Sequence, residues 1–157
     1  MCAAPIVLGT AAYLLGWSPG GASNYGELLA PKPVPGFEPL RGKWVLVMFD
    51  AASCDPYCEK KLYFMRQVRR AQGKYMDRVE RLWAITDTGK PRGELLAAIE
   101  GTRIERQEAD GAFSGNAVDH IYLVDPLGNL MMRFPRDPDP SKMIKDLQRL
   151  LKYSGAR

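Results

Sequence analysis

The sequence predicts an α/β domain in which helices cover a mixed sheet, and three observations lead to this prediction. An almost unbroken apolar run at 43–49 is typical of a strand that is buried on both faces of its sheet. Helical and strand-like patterns then alternate over 59–107, which predicts parallel strands joined by helices. Further on, two apolar stretches flank the turn at 125–129, which predicts an antiparallel hairpin.

Each element is justified by its periodicity and its end signals. Gly101 ends the second helix, as glycine commonly does after the last helical turn. Asp139 can cap the last helix, with Pro140 at its first position. The elements predicted in chain order are a strand at 43–49, a helix after residue 58, a strand at 81–87, a helix at 94–100, a short edge strand at 102–107, hairpin strands at 118–124 and 130–134, and a helix after 139.

Composition limits the classes of function. The 157 residues suit one domain with an appendage, and the hydrophobic and charged fractions of 46% and 25% are ordinary for a globular protein. The formal net charge of +4 is modest and its basic residues are scattered, so we expect no nucleic-acid partner. Three cysteines, of which two are closely spaced, do not indicate a disulfide scaffold.

The N-terminal region predicts an attachment to a membrane. Residues 1–17 are apolar and uncharged, slightly short of the roughly 20 residues that span a bilayer, so we expect a membrane anchor, possibly truncated. A buried N-terminal helix is the alternative. Residues 18–36 are rich in proline and glycine and predict an extended linker, within which 24–29 could dock locally. The globular domain is then expected at 37–157.

Two cysteines follow the first core strand. Cys54 and Cys58 lie at a predicted strand-to-helix junction, the edge at which α/β sheets place their chemistry. Cys58 would lie in the first helical turn, whose partial positive charge favours a thiolate. Asp55 and Glu59 should oppose thiolate formation, and Lys60 and Lys61 are expected to be solvated. This position predicts a reactive or a metal-binding pair.

The order of elements, with a cysteine pair at the end of the first core strand, resembles the thioredoxin fold. Cys54 and Cys58 have three residues between them, and Val118-Asp119-His120 precedes the hairpin sequence at 122–128. This combination is similar to the Sco/SenC branch, which helps to assemble the copper centre of cytochrome oxidase. The resemblance covers roughly 37–153.

The resemblance implies a copper-handling protein. It assigns Cys54, Cys58 and His120 as ligands for copper, and two thiolates with an imidazole are a soft set suited to Cu(I) and able to hold Cu(II) with a further ligand. The implied partner is a respiratory oxidase subunit or another cysteine-containing periplasmic protein. The implied location is the periplasmic side of the inner membrane, with the N-terminal segment as the anchor.

Two other classes of function remain open. The same dithiol could act without metal as a thiol–disulfide oxidoreductase, an enzyme in which Cys54 and Cys58 are the catalytic residues. Alternatively, the cysteines could form an inert disulfide that staples a turn, although so short a loop restrains the unfolded chain only weakly. In either case His120, the only histidine of the chain, need not belong to the site.

Overall fold

The computed structural model describes residues 25–34, 37–107, 113 and 117–154. Short 3-10 turns lie at 38–40, 73–78 and 117–119. The regular elements are β1 (Glu27–Pro33), β2 (Trp44–Asp50), α1 (Pro56–Arg70), β3 (Val79–Ile85), α2 (Gly93–Ala98), β4 (Arg103–Arg106), β5 (Ile121–Val124), β6 (Asn129–Arg133) and α3 (Pro140–Ser154).

Six strands form one mixed sheet, in the order β1-β6-β5-β2-β3-β4. β2, β3 and β4 are parallel to one another, as expected for strands that are joined by helices. β5 pairs with β2 and with β6 in antiparallel fashion, so the hairpin extends the sheet on the other side of β2. The predicted α/β fold with a mixed sheet and flanking helices is therefore confirmed.

β2 lies at the centre of the sheet, and all seven of its residues are buried. Its alternate side chains enter two separate cores. Leu46 and Met48 pack under the helices together with Met65 of α1 and Leu147 of α3. Val45, Val47 and Phe49 pack on the opposite face. The residues that cover them there include Val34, Phe37, Leu40, Phe113 and Ala117. Both faces of the strand are thus removed from water, which explains its continuous apolar sequence.

The folded part of the chain begins earlier than the linker predicted over 18–36 implies. β1 lies inside that range and pairs with β6, with Glu27 opposite Arg133. The backbone amides of Tyr25 and Gly26 donate to the Asp146 carboxylate at 3.0 and 2.7 Å, so this segment also contacts α3. The local docking expected for 24–29 agrees with this arrangement in its described part.

The predicted anchor at 1–17 lies outside the described residues. Within the part of the chain that the structure describes, none of the helices combines the length and the apolar character needed to cross a bilayer.

α1 packs inward through the face that carries Cys58. Phe64, on another side of the helix, is only partly buried. The buried residues are Cys58, Lys61, Leu62, Met65 and Val68. They follow Cys58 at helical spacing, so the face that carries the cysteine is the one that packs inward.

Candidate redox site

Cys54 and Cys58 are joined by a disulfide with an S–S distance of 2.09 Å and a Cα–Cα distance of 5.0 Å. Cys54 follows a turn in which its backbone amide donates to the Ala51 carbonyl at 3.1 Å. Its φ of 48° places it in the left-handed region, the only such non-glycine residue in the described part of the chain. Cys54 is 3% exposed and Cys58 is fully buried, so Cys54 is the more accessible of the two.

The first turn of α1 holds the second cysteine. Asp55 is the N-cap of the helix, and its carboxylate accepts a hydrogen bond from the Cys58 amide at 2.8 Å. Pro56 follows at the first helical position, where the absence of an N–H group costs nothing. Cys58 is the third residue of the helix, where the partial positive charge of the N-terminus favours a thiolate after reduction.

Arg92, directly before α2, secures the disulfide loop from the side. Its guanidinium donates to the carbonyl oxygens of Ser53 and Cys54, the latter at 3.3 Å. The same guanidinium pairs with the Glu59 carboxylate at 2.5 Å. Glu59 was expected to oppose a thiolate, and this pairing offsets part of its charge. Arg92 thus joins three consecutive parts of the site: the turn, the first cysteine and the first helical turn.

Lys61 is buried beneath the site, which overturns the expectation that it is solvated. Its side chain is 1% exposed, and its ammonium lies 3.0 Å from the Asp50 carboxylate. It also donates to the carbonyl oxygens of Phe49 at 3.1 Å and of Val118 at 2.6 Å. Burial lowers the pKa of Lys61, and the negative charge of Asp50 acts in the opposite direction. Lys60, in contrast, is exposed, as expected.

Tyr57, between the cysteines, connects α1 to the segment before β5. Its hydroxyl contacts the carbonyl oxygens of Asp119 at 2.9 Å and of Arg136 at 2.6 Å. Burial raises the pKa of Tyr57 to about 12, because a buried phenolate would lose its hydration. Together, Tyr57 and Lys61 fix the turn at 117–119 against the helix that carries Cys58.

His120 directly follows that turn and is half-buried. Its Nδ1 lies 2.7 Å from the carbonyl oxygen of Phe134. A carbonyl only accepts hydrogen bonds, so Nδ1 carries the proton and Nε2 of the neutral ring keeps its lone pair. Within the described part of the chain Nε2 makes no hydrogen bond, so it is the ring nitrogen that can ligate a metal.

The structure brings Cys54 and Cys58 together but does not form a closed three-ligand site. Within the described ranges, no group of three or more His, Cys, Asp or Glu side chains is arranged to hold a metal ion. Both sulfurs are engaged in the disulfide. The cysteines of the oxidised protein therefore have no thiolate with which to bind a metal ion. Ligation by Cys54, Cys58 and His120 stays a prediction about the reduced protein.

The sequence patterns did not assign four residues to the site: Asp50, Tyr57, Lys61 and Arg92. A signal was available for two of them. Asp50 ends a strand that is otherwise wholly apolar, and Lys61 lies three residues after Cys58, on the same helical face. Arg92 carried no signal, because its contacts with Ser53 and Cys54 depend on the way that α2 packs beside α1.

The comparisons with known proteins agree with this fold. The family model described as "Transmembrane-like, thioredoxin-like, C-terminal domain" matches residues 44–154. No curated protein matches the sequence.

Solved structures with the same fold include both copper proteins and thiol–disulfide proteins. Apo Sco1 from Thermus thermophilus is 20% identical, with a TM-score of 0.59 over 81% of this chain and 96% of its own. Yeast Sco1 with copper bound is 18% identical, with a TM-score of 0.56 over 85% and 94%. A thiol:disulfide interchange protein of the thioredoxin family from Chlorobium tepidum is 17% identical, with a TM-score of 0.51 over 82% and 92%. The predicted thioredoxin-like resemblance is therefore confirmed.

Proposed function

Because this chain belongs to the family of transmembrane-like, thioredoxin-like C-terminal domains, we propose that it exchanges disulfides with cysteine-containing proteins through Cys54 and Cys58. The observation that carries the proposal is the disulfide at the start of α1, where Asp55 and Arg92 hold both cysteines in place. A purely structural disulfide would not require a position at a helix N-terminus or the contacts that Asp55 and Arg92 make around it.

The exchange proceeds in two balanced steps. A thiolate of a partner dithiol attacks the Cys54 sulfur, which forms a mixed disulfide and releases Cys58 as a thiolate. The second partner thiolate then attacks the partner sulfur of the mixed disulfide and releases the Cys54 thiolate. The partner is oxidised by two electrons, and the pair in this chain is reduced by two. The reverse sequence reduces a partner disulfide.

The surrounding residues support the released thiolate. The N-terminus of α1 favours negative charge on Cys58, and Lys61 follows one helical turn later on the same buried face. In the oxidised protein Lys61 is paired with Asp50, so the two opposite charges offset each other. Arg92 keeps the Cys54 backbone in place while the sulfur changes partners.

The test is a trapping experiment in a Cys2→Ser background, so that only the site cysteines can react. The variant Cys58→Ser retains the more exposed Cys54, and Cys54→Ser retains the buried Cys58. With oxidised glutathione, we expect the Cys58→Ser chain to form the mixed disulfide at least about tenfold faster, as followed by intact mass. Equal rates, or no adduct in either variant, would contradict the proposed roles.

A second candidate function is the handling of copper as cargo by the reduced protein. The observation that favours it is the anchoring of the turn before His120 to α1 by Tyr57 and Lys61, together with the free Nε2 of His120. Two thiolates and this nitrogen would be a soft donor set for Cu(I). In this case we further propose an oxidase subunit as the recipient.

The copper candidate is tested by anaerobic titration of the reduced chain with Cu(I) against a competing chelator. We expect one Cu(I) per chain, weaker binding after His120→Ala, and no competitive binding after Cys58→Ser. If His120→Ala leaves the affinity for Cu(I) unchanged, the site consists of the two sulfurs alone. If the reduced chain does not bind Cu(I), the copper function is contradicted and disulfide exchange remains.

The location is part of the proposal. A disulfide of this kind suits an oxidising compartment, and the uncharged stretch at 1–17 suits a membrane attachment. We therefore place the domain on the periplasmic side of the inner membrane. Fractionation of cells that express the full chain tests this placement, with a variant lacking residues 1–17 as the control.

A further inference from the structure

A second site lies away from the cysteines, in a cavity of about 520 Å³ that is lined by four arginines. Arg66, Arg69 and Arg70 come from α1, and Arg81 comes from β3. Arg66 lies eight residues after Cys58, about 12 Å along the helix at its usual rise. The cavity is therefore distinct from the disulfide, and disulfide exchange does not require it.

Arg81 is the residue that the fold leaves without enough partners. It is 5% exposed, and its Nη2 donates to the Glu100 carbonyl at 3.1 Å. Its Nε and Nη1 are buried without a hydrogen-bond partner in the described part of the chain. Leaving such charged donors unpaired is costly, because they have given up their hydration without compensation. Arg81 lines the cavity, so a small shift of its side chain would bring these donors to a hydrogen-bond acceptor that is bound there.

The neighbouring arginines are already positioned. Arg69 donates from Nε to the Val79 carbonyl at 2.6 Å, and Arg66 donates from Nη1 to the Ala98 carbonyl at 3.3 Å. Backbone carbonyls thus orient both side chains without neutralising them. The last two arginines of α1 also lie near the negative end of the helix dipole. That effect explains why basic residues are found there, but it does not explain the unpaired donors of Arg81.

One acidic residue, the exposed Glu100, lines the cavity together with the four arginines, so positive charge is in excess. Among the residues that the structure describes, none of these four arginines forms an ion pair. Glu80, which is near Arg81, pairs instead with Lys43 at 3.0 Å. Burial lowers the pKa of Arg81, and the charges of Arg69, Arg66 and Arg70 lower it further, whereas Glu80 acts in the opposite direction. The cavity therefore concentrates positive charge that an anion would offset.

We propose that this arginine cavity binds a phosphate group, carried either by a small phosphate ester or by a phospholipid headgroup. Guanidinium groups match the oxygens of phosphate in geometry and charge, and the volume leaves room for the organic part of the ester. Gly101 contributes to the fit. A Cβ at this position would lie 2.9 Å from Arg81 Nη2, and the φ of 91° suits glycine.

The test uses Arg70→Gln in the full-length chain, because Arg70 is exposed and its loss disturbs no packing. The matched control is Arg41→Gln, which removes the same charge from an exposed turn that lines another cavity. The soluble probes are inorganic phosphate and glycerol 3-phosphate in calorimetric titrations at fixed salt. Vesicles of phosphatidylglycerol, with phosphatidylcholine vesicles for comparison, test the headgroup.

We expect saturable binding of one phosphate per chain, with the Kd raised about tenfold by Arg70→Gln and unchanged by Arg41→Gln. Binding of glycerol 3-phosphate with this dependence identifies a soluble ester as the source. If only phosphatidylglycerol vesicles bind with this dependence, the headgroup is the source. An absence of saturable binding to every probe, or equal weakening by both variants, would overturn the proposal.

Discussion

Lys61 is a buried cation whose three partners come from two separate parts of the chain. It pairs with Asp50 and donates to the carbonyl oxygens of Phe49 and Val118. The first two partners belong to β2, and Val118 lies in the turn before His120. One side chain therefore holds together the strand, the helix and the turn that surround the disulfide.

Lys61→Met should lower the free energy of unfolding by about 3–5 kcal/mol, because it leaves the Asp50 carboxylate buried without its counter-ion. Urea denaturation measures the loss. Lys60→Met is the matched control, since Lys60 is exposed and lies 3.9 Å from Asp137. The control should change the stability by at most about 1 kcal/mol. Similar losses in both variants would show that the buried pair has no special role.

Tyr57→Phe should lower the free energy of unfolding by about 1 kcal/mol at neutral pH, because the hydroxyl loses its contacts with Asp119 and Arg136. The pH dependence has a definite sign. Tyr57 ionises near 10 in the unfolded chain and near 12 in the folded one, so its contribution is full below pH 10 and is lost as the pH rises toward 12.

Urea denaturation between pH 8 and 11.5 therefore distinguishes the two proteins. The wild type should lose stability relative to Tyr57→Phe above pH 10, and the contribution of Lys61 cancels because both proteins contain it. A difference between the two that does not vary with pH would contradict the raised pKa of Tyr57.

The start of α1 combines the cap, the disulfide and the contacts with Arg92 within the seven residues from Ser53 to Glu59. The Asp55 carboxylate accepts a hydrogen bond from the Cys58 amide. Arg92 donates to the carbonyl oxygens of Ser53 and Cys54 and forms an ion pair with Glu59. The helix is therefore fixed most firmly at the end where the chemistry takes place. Its other end carries the arginines of the proposed phosphate cavity.

Asp55→Ala should lower the free energy of unfolding by about 1 kcal/mol, because the Cys58 amide loses its cap. Thermal and urea denaturation of the oxidised protein measure this change. Asp77→Ala removes an exposed carboxylate after α1 and serves as the control, for which we expect a negligible change. A stability of Asp55→Ala equal to that of the control would mean that the disulfide alone holds the first turn.

Sequence patterns predicted most of these elements because the patterns reflect burial directly. The apolar run at 43–49 became β2, which is buried throughout, and Asp139 with Pro140 marked the start of α3. The burial of Lys61 could not be predicted in the same way. A charged residue on a helix reads as solvated, and only the fold places Asp50 and the Val118 carbonyl around its ammonium.

The sheet as a whole is closed on one side by β1, whose partners are distant in sequence. Glu27 lies opposite Arg133, and the carboxylate of Asp146 is buried while it accepts the amides of Tyr25 and Gly26. A segment with two prolines and a lysine in seven residues is predicted to be a linker, because its pairing with β6 produces no pattern in the local sequence. Long-range contacts of this kind limit any prediction from one sequence.

Asp146→Ala should lower the free energy of unfolding by about 1.5–3 kcal/mol, because one buried and one partly buried hydrogen bond to its carboxylate are lost. Hydrogen exchange should show reduced protection of the β1 amides, with the amides of β3 unchanged. Asp137→Ala, an exposed carboxylate, should leave both protected. Full protection of β1 in Asp146→Ala would show that pairing with β6 is sufficient to hold it.

The position of β1 sets an order of events during synthesis on the ribosome. This strand leaves the exit tunnel first among the described elements, yet Arg133 of β6, which lies opposite Glu27, comes 106 residues later. Because translation proceeds at roughly 5–20 residues per second, several seconds separate the two events. During that interval the parallel strands β2, β3 and β4 have all been made, while β1 still lacks the strand with which it pairs. β1 therefore takes its place in the sheet only after most of the chain has been made.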